Sequence, residues 1–254
     1  MKQLEILSSV EVQNSGKDLM DIGELLQLRK LGVILNGENS GLSIIFQQID
    51  KLHACLRSLS IRINQPAKSE NPVVAHLVTP PKLLQSLSIS GITGGLPLWI
   101  AELDQLANIT LRDTFLGEDA INILGKLRKL CSLKLLHKSY NGHSLNFKAQ
   151  RFQRLRFLIV EGNDITNISF DDGAAPRSEM LVWSFRTLEA LTGVHYLPKL
   201  KKLELNGDCG DHNLYLVRAA IKDHPNNPVL KHNPYHQSQE ADGNAAAASS
   251  SSVP

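Results

Sequence analysis

The sequence predicts an α/β solenoid, in which short parallel strands line a concave face and helical or irregular segments cover a convex face. Two observations predict this architecture: a six-residue phrase returns many times at a regular spacing, and the segments between its copies carry apolar positions of their own. The third observation concerns composition. The 254 residues are 42% hydrophobic and 20% charged, which suffices for a continuous core in a folded protein.

The recurring phrase has the form Leu-x-x-Leu-x-Leu. Its good copies are LRKLGV from Leu28, LRSLSI from Leu56, LQSLSI from Leu84, LANITL from Leu106, LCSLKL from Leu130, LRFLIV from Leu155 and LKKLEL from Leu200. An eighth copy, SEMLVW, has Ser178 in place of the first leucine, and a partial copy, LEIL, begins at Leu4. The mean spacing of about 25 residues lies within the period of leucine-rich repeats. The sequence therefore predicts a leucine-rich-repeat solenoid, or horseshoe, of about eight to nine repeats.

Each phrase predicts one strand of the concave parallel sheet. Side chains alternate between the two faces of a strand, and the leucines of one repeat are buried only when neighbouring repeats stack on it. We therefore expect the first, fourth and sixth positions of the phrase to point into the core. The third and fifth positions are expected to face solvent on the concave side.

The segments that return from one strand to the next are predicted to be helical or irregular and to form the convex side. Each has its own apolar positions; they are LMDIGELLQL (19–28), LSIIFQQIDKL (42–52), LPLWIAELDQL (96–106) and DAINILGKLRKL (119–130). Two segments interrupt the rhythm. Residues 64–81 contain four prolines and are predicted to be an insertion loop, either partner-binding or merely tolerated. Residues 137–150 contain Gly142 and form the second interruption.

After Leu205 the phrase stops, and the remaining sequence predicts a cap and a tail. Apolar residues at helical spacing, ended by prolines, predict a C-terminal capping helix at about 213–224. We expect the repeat domain to extend over residues 1–235. Residues 236–254 are rich in Ala and Ser and lack side chains to bury, so this low-complexity tail is expected to be disordered.

Charge and cysteine usage restrict the partners and the compartment. The 27 Lys and Arg against 25 Asp and Glu give a net charge of +2 without a long run of one sign, which argues against nucleic acid. The three cysteines match neither a disulfide framework nor a zinc pattern and are expected to be reduced. The first residues do not resemble a secretory signal, and no apolar run is long enough for a membrane span. These observations predict a cytoplasmic protein.

The sequence contains no pattern for catalysis, for a cofactor or for a metal ion. A phosphate-binding loop needs a Gly-Lys pair preceded by a further glycine and followed by Ser or Thr, but Lys17 and Lys126 are followed by Asp18 and Leu127. The spacing of His232 and His236 suits a helical metal pair, yet the intervening proline prevents the helix. We therefore expect no enzymatic activity, no cofactor and no metal.

The amino-acid sequence of the repeats resembles one family in particular. LPLWI from Leu96, FKAQRFQRLRFL from Phe147 and VRAAIKDHPNNP from Val217 are similar to the C-terminal repeat region of plant coiled-coil nucleotide-binding disease-resistance proteins, which are intracellular immune receptors. The resemblance covers about residues 3–234. It implies a C-terminal fragment that senses pathogen effectors, directly or through guarded host proteins, and that holds a nucleotide-binding switch inactive. The nucleotide-binding part has no counterpart in this sequence, so binding of ADP or ATP is not implied.

The solvent-facing positions of the phrase change character along the chain. Early repeats present small polar groups, whereas two later repeats present Phe157, Ile159, Met180 and Val182, which are expected to form one apolar cluster. Such clusters are typical of protein-binding surfaces. Arg112 and Lys134 lie on nearby repeats and are candidates for charge complementarity. In an alternative interpretation, Ser178 marks a distorted strand, and Met180 and Val182 belong to the core.

The sequence thus predicts a protein-binding module of plant defence. The expected partner is a pathogen effector, a guarded host protein or the nucleotide-binding part of a receptor. Two alternatives are a fragment of an extracellular leucine-rich-repeat receptor and a substrate-recruiting subunit of a ubiquitin ligase. The first requires a signal peptide and flanking cysteine pairs, and the second requires an adaptor-binding helical segment before the repeats.

Overall fold

The computed structural model describes residues 4–13, 21–36, 42–64, 79–93 and 95–234. Most of the predicted insertion at 64–81 and the whole predicted tail at 236–254 lie outside these described residues. The described strands in chain order are β1 (Ile6–Gln13), β2 (Lys30–Asn36), β3 (Ser58–Ile63), β4 (Ser86–Ser90), β5 (Asn108–Arg112), β6 (Ser132–Leu136), β7 (Ser144–Phe147), β8 (Phe157–Glu161), β9 (Asn167–Phe170), β10 (Met180–Thr187), β11 (Ala190–Thr192), β12 (Lys202–Asp208) and β13 (Val229–Asn233). The helices are α1 (Leu42–Lys51), α2 (Glu118–Leu124) and α3 (Asp211–Lys222).

Ten of these strands form one sheet in the order β1-β2-β3-β4-β5-β6-β8-β10-β12-β13. Every neighbouring pair in this sheet is parallel. Each copy of the phrase contributes one strand, and the order in space follows the order in the chain. The predicted parallel concave sheet of a leucine-rich-repeat solenoid is therefore confirmed.

The leucine at the first position of each phrase sits at the turn that leads into its strand and is fully buried. These residues are Leu28, Leu56, Leu84, Leu106, Leu130, Leu155 and Leu200. In most repeats the amide of this residue closes the turn by donating to the carbonyl three residues earlier, as Leu106 does to Leu103 at 3.2 Å. The fourth and sixth positions follow the same pattern, because strand alternation directs them to the same face, as with Leu133 and Leu135.

Ser178 keeps the geometry of the leucine that it replaces. Its amide donates to the carbonyl of Ala175 at 3.0 Å, and its side chain is buried. The strand that follows holds the regular register, with Leu181 and Trp183 buried. The alternative interpretation, in which this strand is distorted and Met180 and Val182 turn into the core, is therefore wrong.

Helical segments lie on the convex side after β2 and after β4, as predicted. In α1 the buried residues Leu42, Ile45, Phe46 and Ile49 recur at helical spacing and face the sheet. A 3₁₀ segment, Leu98–Glu102, follows β4 and buries Trp99. The ring of Phe46 meets that of Trp99 edge to face, with centroids 6.2 Å apart. The helical segments that follow β2 and β4 thus contact each other through an aromatic pair.

The convex side of the later repeats adds a second parallel sheet, with the order β11-β9-β7. The first of these strands, β7, lies in the interruption at 137–150. The four-residue segments SLNF and NISF alternate polar and apolar residues, and they are too short for a helix that buries one face. Phe147 pairs with Phe170, and their rings stack with centroids 4.8 Å apart. The core of these repeats is therefore enclosed between two sheets.

The C-terminal end contains one strand more than the sequence predicts. The helix expected at about 213–224 is α3, which runs from Asp211 to Lys222 and buries Val217 and Ile221. After it the chain returns to the concave sheet as β13, which pairs in parallel with β12. The amide of Val229 joins the two by donating to the carbonyl of Lys201 at 2.8 Å. The helix covers the end of the core, and the added strand covers the edge of β12.

Candidate protein-binding site

The four apolar residues singled out in the sequence lie on β8 and β10. In β8, Leu158 and Val160 point into the core, whereas Phe157 and Ile159 are half-buried on the concave side. Met180 and Val182 are half-buried on the same side of β10. Alternation along each strand produces this division, since residues two apart share a face.

The pairing of the two strands brings the four side chains together. Met180 lies directly opposite Phe157, and Val182 lies directly opposite Ile159. We call these four residues the apolar patch. They occupy two successive outward positions on two adjacent strands, which lie about 4.8 Å apart, so the patch is continuous from β8 to β10.

Polar and charged residues border the patch on both neighbouring strands. On β6, Ser132 lies opposite Phe157, and Lys134 lies opposite Ile159. On β12, Lys202 lies opposite Met180, and Glu204 lies opposite Val182. Lys202 and Glu204 form an ion pair at 2.5 Å, and the hydrogen bond from Lys202 lowers the pKa of the Glu204 carboxyl. An apolar centre within a charged border is the usual composition of a protein-binding surface.

Three charged residues that immediately precede β8, β10 and β12 form ion pairs beside the patch. Arg156 donates to one carboxylate oxygen of Glu179 at 2.6 Å, and Lys201 donates to the other oxygen at 2.8 Å. These hydrogen bonds, the one from Arg156 first, lower the pKa of Glu179 to about 2. The guanidinium of Arg156 also lies over the ring of Phe157, 5.3 Å from its centroid. We call Arg156, Glu179 and Lys201 the ion-pair cluster.

The ion-pair cluster was not predicted from the sequence, although the sequence contains a charge pattern that indicates it. Arg156, Glu179 and Lys201 occupy the second position of three successive phrases. Parallel in-register strands bring equal positions of neighbouring repeats side by side. A positive, a negative and a positive residue at one position of consecutive repeats therefore predict an ion-pair row.

Arg112 lies apart from the apolar patch, whereas Lys134 borders it. Arg112 ends β5, where its neighbours in the sheet are Ser90 of β4 and Leu136 of β6. It is separated from β8 by one strand. The structure thus brings five of the six predicted site residues together and places Arg112 farther along the same face.

Two of the cysteines and one of the histidines singled out in the sequence have defined surroundings in the described part of the chain. Burial raises the pKa of the Cys209 thiol to about 11, and the pKa of Cys55 is also raised by burial. Such thiols stay protonated at neutral pH. His232 binds the carbonyl of Gly207 at 3.0 Å, and His236 lies outside the described residues.

Two further observations concern metals and membranes. Among the described residues, no three His, Cys, Asp or Glu side chains are grouped closely enough to hold a metal ion. Within the same ranges, no helix combines the length and the apolar composition that crossing a membrane requires.

Comparison with known proteins agrees with this architecture. A family described as a leucine-rich repeat region matches residues 1–230, which is most of the chain. The chain belongs to this leucine-rich repeat family. The match extends through β12 and α3 to the start of β13, so it includes every residue of the apolar patch and of the ion-pair cluster.

The leucine-rich repeat chain is also similar to plant disease resistance proteins, which confirms the resemblance seen in the sequence. It is 27% identical over 257 aligned positions to the disease resistance protein PIK6-NP of Oryza sativa subsp. japonica, an alignment that covers 91% of this chain and 24% of that protein. It is 26% identical to the disease resistance protein Pik-2 of the same organism, over 81% of this chain and 22% of that protein. With RPM1 of Arabidopsis thaliana it shares 25% identity, over 78% of this chain and 20% of that protein. The chain therefore spans at most about a quarter of the length of these relatives.

Proposed function

We propose that this chain is the leucine-rich-repeat module of a plant disease resistance protein and that it binds another protein through the apolar patch. The observation that carries the proposal is the continuity of Phe157, Ile159, Met180 and Val182 across two paired strands. Their neighbours on both sides are polar or charged. Aromatic and methionine side chains are enriched among the contacts at the centre of protein interfaces.

The proposed role is recognition without catalysis, in the cytoplasm. The partner is a pathogen effector, a guarded host protein or the nucleotide-binding part of a receptor, and binding of the last would contribute to autoinhibition. Support for a defence role comes from the similarity to disease resistance proteins of two plants. Support for recognition comes from the concave sheet, whose outward side chains form a broad surface on a rigid scaffold.

The ion-pair cluster supports the patch as a preformed surface. Arg156 is paired with Glu179 and its guanidinium lies over the ring of Phe157, so the ring is covered where the chain enters β8. A side chain that is already ordered loses less conformational entropy on binding. Phe157 is therefore the anchor that we expect to contribute most to affinity.

A photo-crosslinking experiment in plant cells tests this proposal. A benzoylphenylalanine at Ser132, next to Phe157, is expected to form a covalent adduct with the partner when the chain is expressed in leaves and irradiated. The variant Phe157→Lys with Met180→Lys is expected to abolish the adduct. Binding would bury two unpaired lysine charges, and their desolvation free energy exceeds what their contacts with the partner return. Circular dichroism of the variant should match that of the unaltered chain, since both side chains point outward.

The matched control replaces two exposed apolar residues elsewhere with lysine. Leu98 and Tyr215 are 62% and 68% exposed and lie outside the concave sheet. The variant Leu98→Lys with Tyr215→Lys should keep the adduct at full yield. If the patch variant keeps the adduct, or if a crosslinker at Leu98 captures the same protein equally well, the proposed binding site is wrong.

A further inference from the structure

The concave face of β2 to β6 differs in charge from the rest of the sheet. Its outward positions contain four cations and no carboxylate, and all five strands belong to the described residues. Lys30, Arg62 and Lys134 are exposed, and Arg112 is half-buried. The positions between them are mostly small hydroxyl or amide side chains: Ser58, Ser60, Ser86, Ser88, Ser90, Asn108, Thr110 and Ser132. We call this surface the basic face.

The cations of the basic face have no ion-pair partners among the described residues. The described ion pairs use other cations, including Arg29, Lys148 and Lys201. Four positive charges with no negative charge between them raise the local potential and attract an acidic group from outside. The net charge of +2 does not reveal this local excess of positive charge, because acidic residues elsewhere on the chain balance it.

The basic face meets the apolar patch at β6. Lys134 lies directly opposite Ile159, so the nearest cation borders the patch. Arg62 and Arg112 occupy the same outward row on β3 and β5, with Ser90 between them. From β3 to β10 there are five strand steps of about 4.8 Å, or about 24 Å in all. An extended peptide covers this distance with about seven residues.

We propose that the basic face binds an acidic stretch of the same protein partner whose apolar side chain occupies the apolar patch. This inference rests on the proposed function and specifies the chemistry of the partner. The recognised segment is an extended peptide that crosses the strands. One apolar side chain of the peptide contacts the patch on β8 and β10. Acidic residues about two to seven positions away along the peptide lie above Lys134, Arg112 and Arg62.

The composition of the basic face favours a peptide over a nucleic acid. Single-stranded nucleic acids are held by aromatic side chains that stack on their bases, and the outward positions of β2 to β6 include no aromatic residue. The serines present short hydroxyl donors close to the sheet, which leave room for carboxylate side chains above them. The guanidinium groups of Arg62 and Arg112 provide paired donors for such carboxylates.

Fluorescence anisotropy with two labelled peptides tests the inference on the full chain. The acidic probe consists of four glutamates, two glycines, a leucine and a tryptophan, and the neutral probe has glutamines in place of the glutamates. We expect the acidic probe to bind about tenfold more tightly at low salt, the sum that three exposed ion pairs supply. High salt should reduce this advantage, because it screens charges on the surface.

Variants then locate the effect. The charge reversal Arg62→Glu, Arg112→Glu and Lys134→Glu should remove the advantage of the acidic probe over the neutral probe. The control Lys126→Glu, Arg128→Glu and Lys222→Glu changes the net charge equally at exposed positions away from the basic face and should preserve the advantage. The variant Phe157→Lys should weaken the neutral probe, which separates the apolar patch from the basic face.

Four outcomes would overturn the inference. Equal binding of the two probes would show that the face does not recognise acidic residues, although the apolar patch would still be a binding site. Loss of the acidic advantage in the control variant would assign it to net charge. Equal competition by an oligothymidylate of matched charge would identify the basic face as a nucleic-acid site instead. Absence of binding by either probe would also contradict it.

Discussion

Glu179 is the residue on which the edge of the apolar patch depends. Its carboxylate accepts from Arg156 and Lys201, which lie at the starts of the neighbouring strands. Because Arg156 in turn lies over Phe157, the carboxylate fixes the cation that covers the ring. One residue thus links three successive repeats to the proposed anchor of the binding site.

The titration of Glu179 is the first prediction. In the folded chain its pKa lies at about 2, below its ordinary value of 4.5. A lowered folded pKa contributes stability that is fully present above pH 4.5 and is lost as the pH falls through about 2. The stability difference between the unaltered chain and Glu179→Gln should therefore be largest above pH 4.5 and should shrink toward pH 2, as measured by urea denaturation.

The two cations provide the control for this titration. Arg156 is the larger cause of the lowered pKa, and Lys201 is the smaller. Carboxyl titration by NMR should therefore give a larger upward shift of the Glu179 pKa in Arg156→Gln than in Lys201→Gln. A carboxyl that titrates near 4.5 in the unaltered chain would contradict the ion-pair cluster.

Single residues of the site differ in how far the sequence determines them. Phe157, Ile159, Met180 and Val182 could be assigned to one face from the phrase alone, since strand alternation and in-register stacking fix their direction. For Glu179, the opposite charges at the same position of the neighbouring phrases predict an ion-pair row. The geometry of those contacts depends on side-chain conformation, which the phrase does not encode.

At the scale of elements, two convex strands, β9 and β11, approach each other closely just before a short 3₁₀ segment, Val194–Tyr196. Gly193 directly follows β11, and its φ of 72° lies in the left-handed region. A Cβ at this position would overlap the carbonyl oxygen of Phe170 in β9. Gly173 has a similar φ of 74°, but nothing lies within 4 Å of the place that its Cβ would take.

This difference gives the second prediction. Gly173→Ala should cost about 1 kcal/mol, since it adds only the strain of a left-handed alanine. Gly193→Ala should cost at least about 2 kcal/mol more, because the backbone of β9 must also move. Urea denaturation of the two variants measures the difference. Equal destabilisation would mean that β9 and β11 do not approach each other as described.

The secondary-structure elements differ in how far the sequence predicts them. The strands of the concave sheet follow from the phrase, because each copy places three apolar residues at positions that only stacked strands bury together. The second sheet did not follow, since SLNF, NISF and ALT are three or four residues long and too short for a periodic signal. The strand β13 carries a single leucine, Leu230, and so lacks the phrase that identifies its neighbours.

At the scale of the whole molecule, the first strand of the solenoid and a strand of its later repeats differ in how much of each strand is buried. In β1, Val12 is buried, whereas Ile6 is 59% exposed and Leu7 and Val10 are half-buried. In β10, Leu181, Trp183 and Phe185 are all buried, and the rings of Trp183 and Phe185 lie 4.7 Å apart. Repeats in a solenoid contact only their neighbours, so local stability follows local burial.

Native-state hydrogen exchange provides the third prediction. We expect the amides of β8, β10 and β12 to exchange most slowly, because these strands border the aromatic core between the two sheets and bury most of their inward side chains. The amides of β1 and β2 should exchange faster, through opening of the first repeats while the later repeats remain folded. The apolar patch would then lie in the part of the solenoid that opens least, where its side chains are already ordered for binding. Uniform protection across all strands would instead indicate that the solenoid unfolds as one cooperative unit, and faster exchange in β8 and β10 than in β1 would contradict the role of the second sheet.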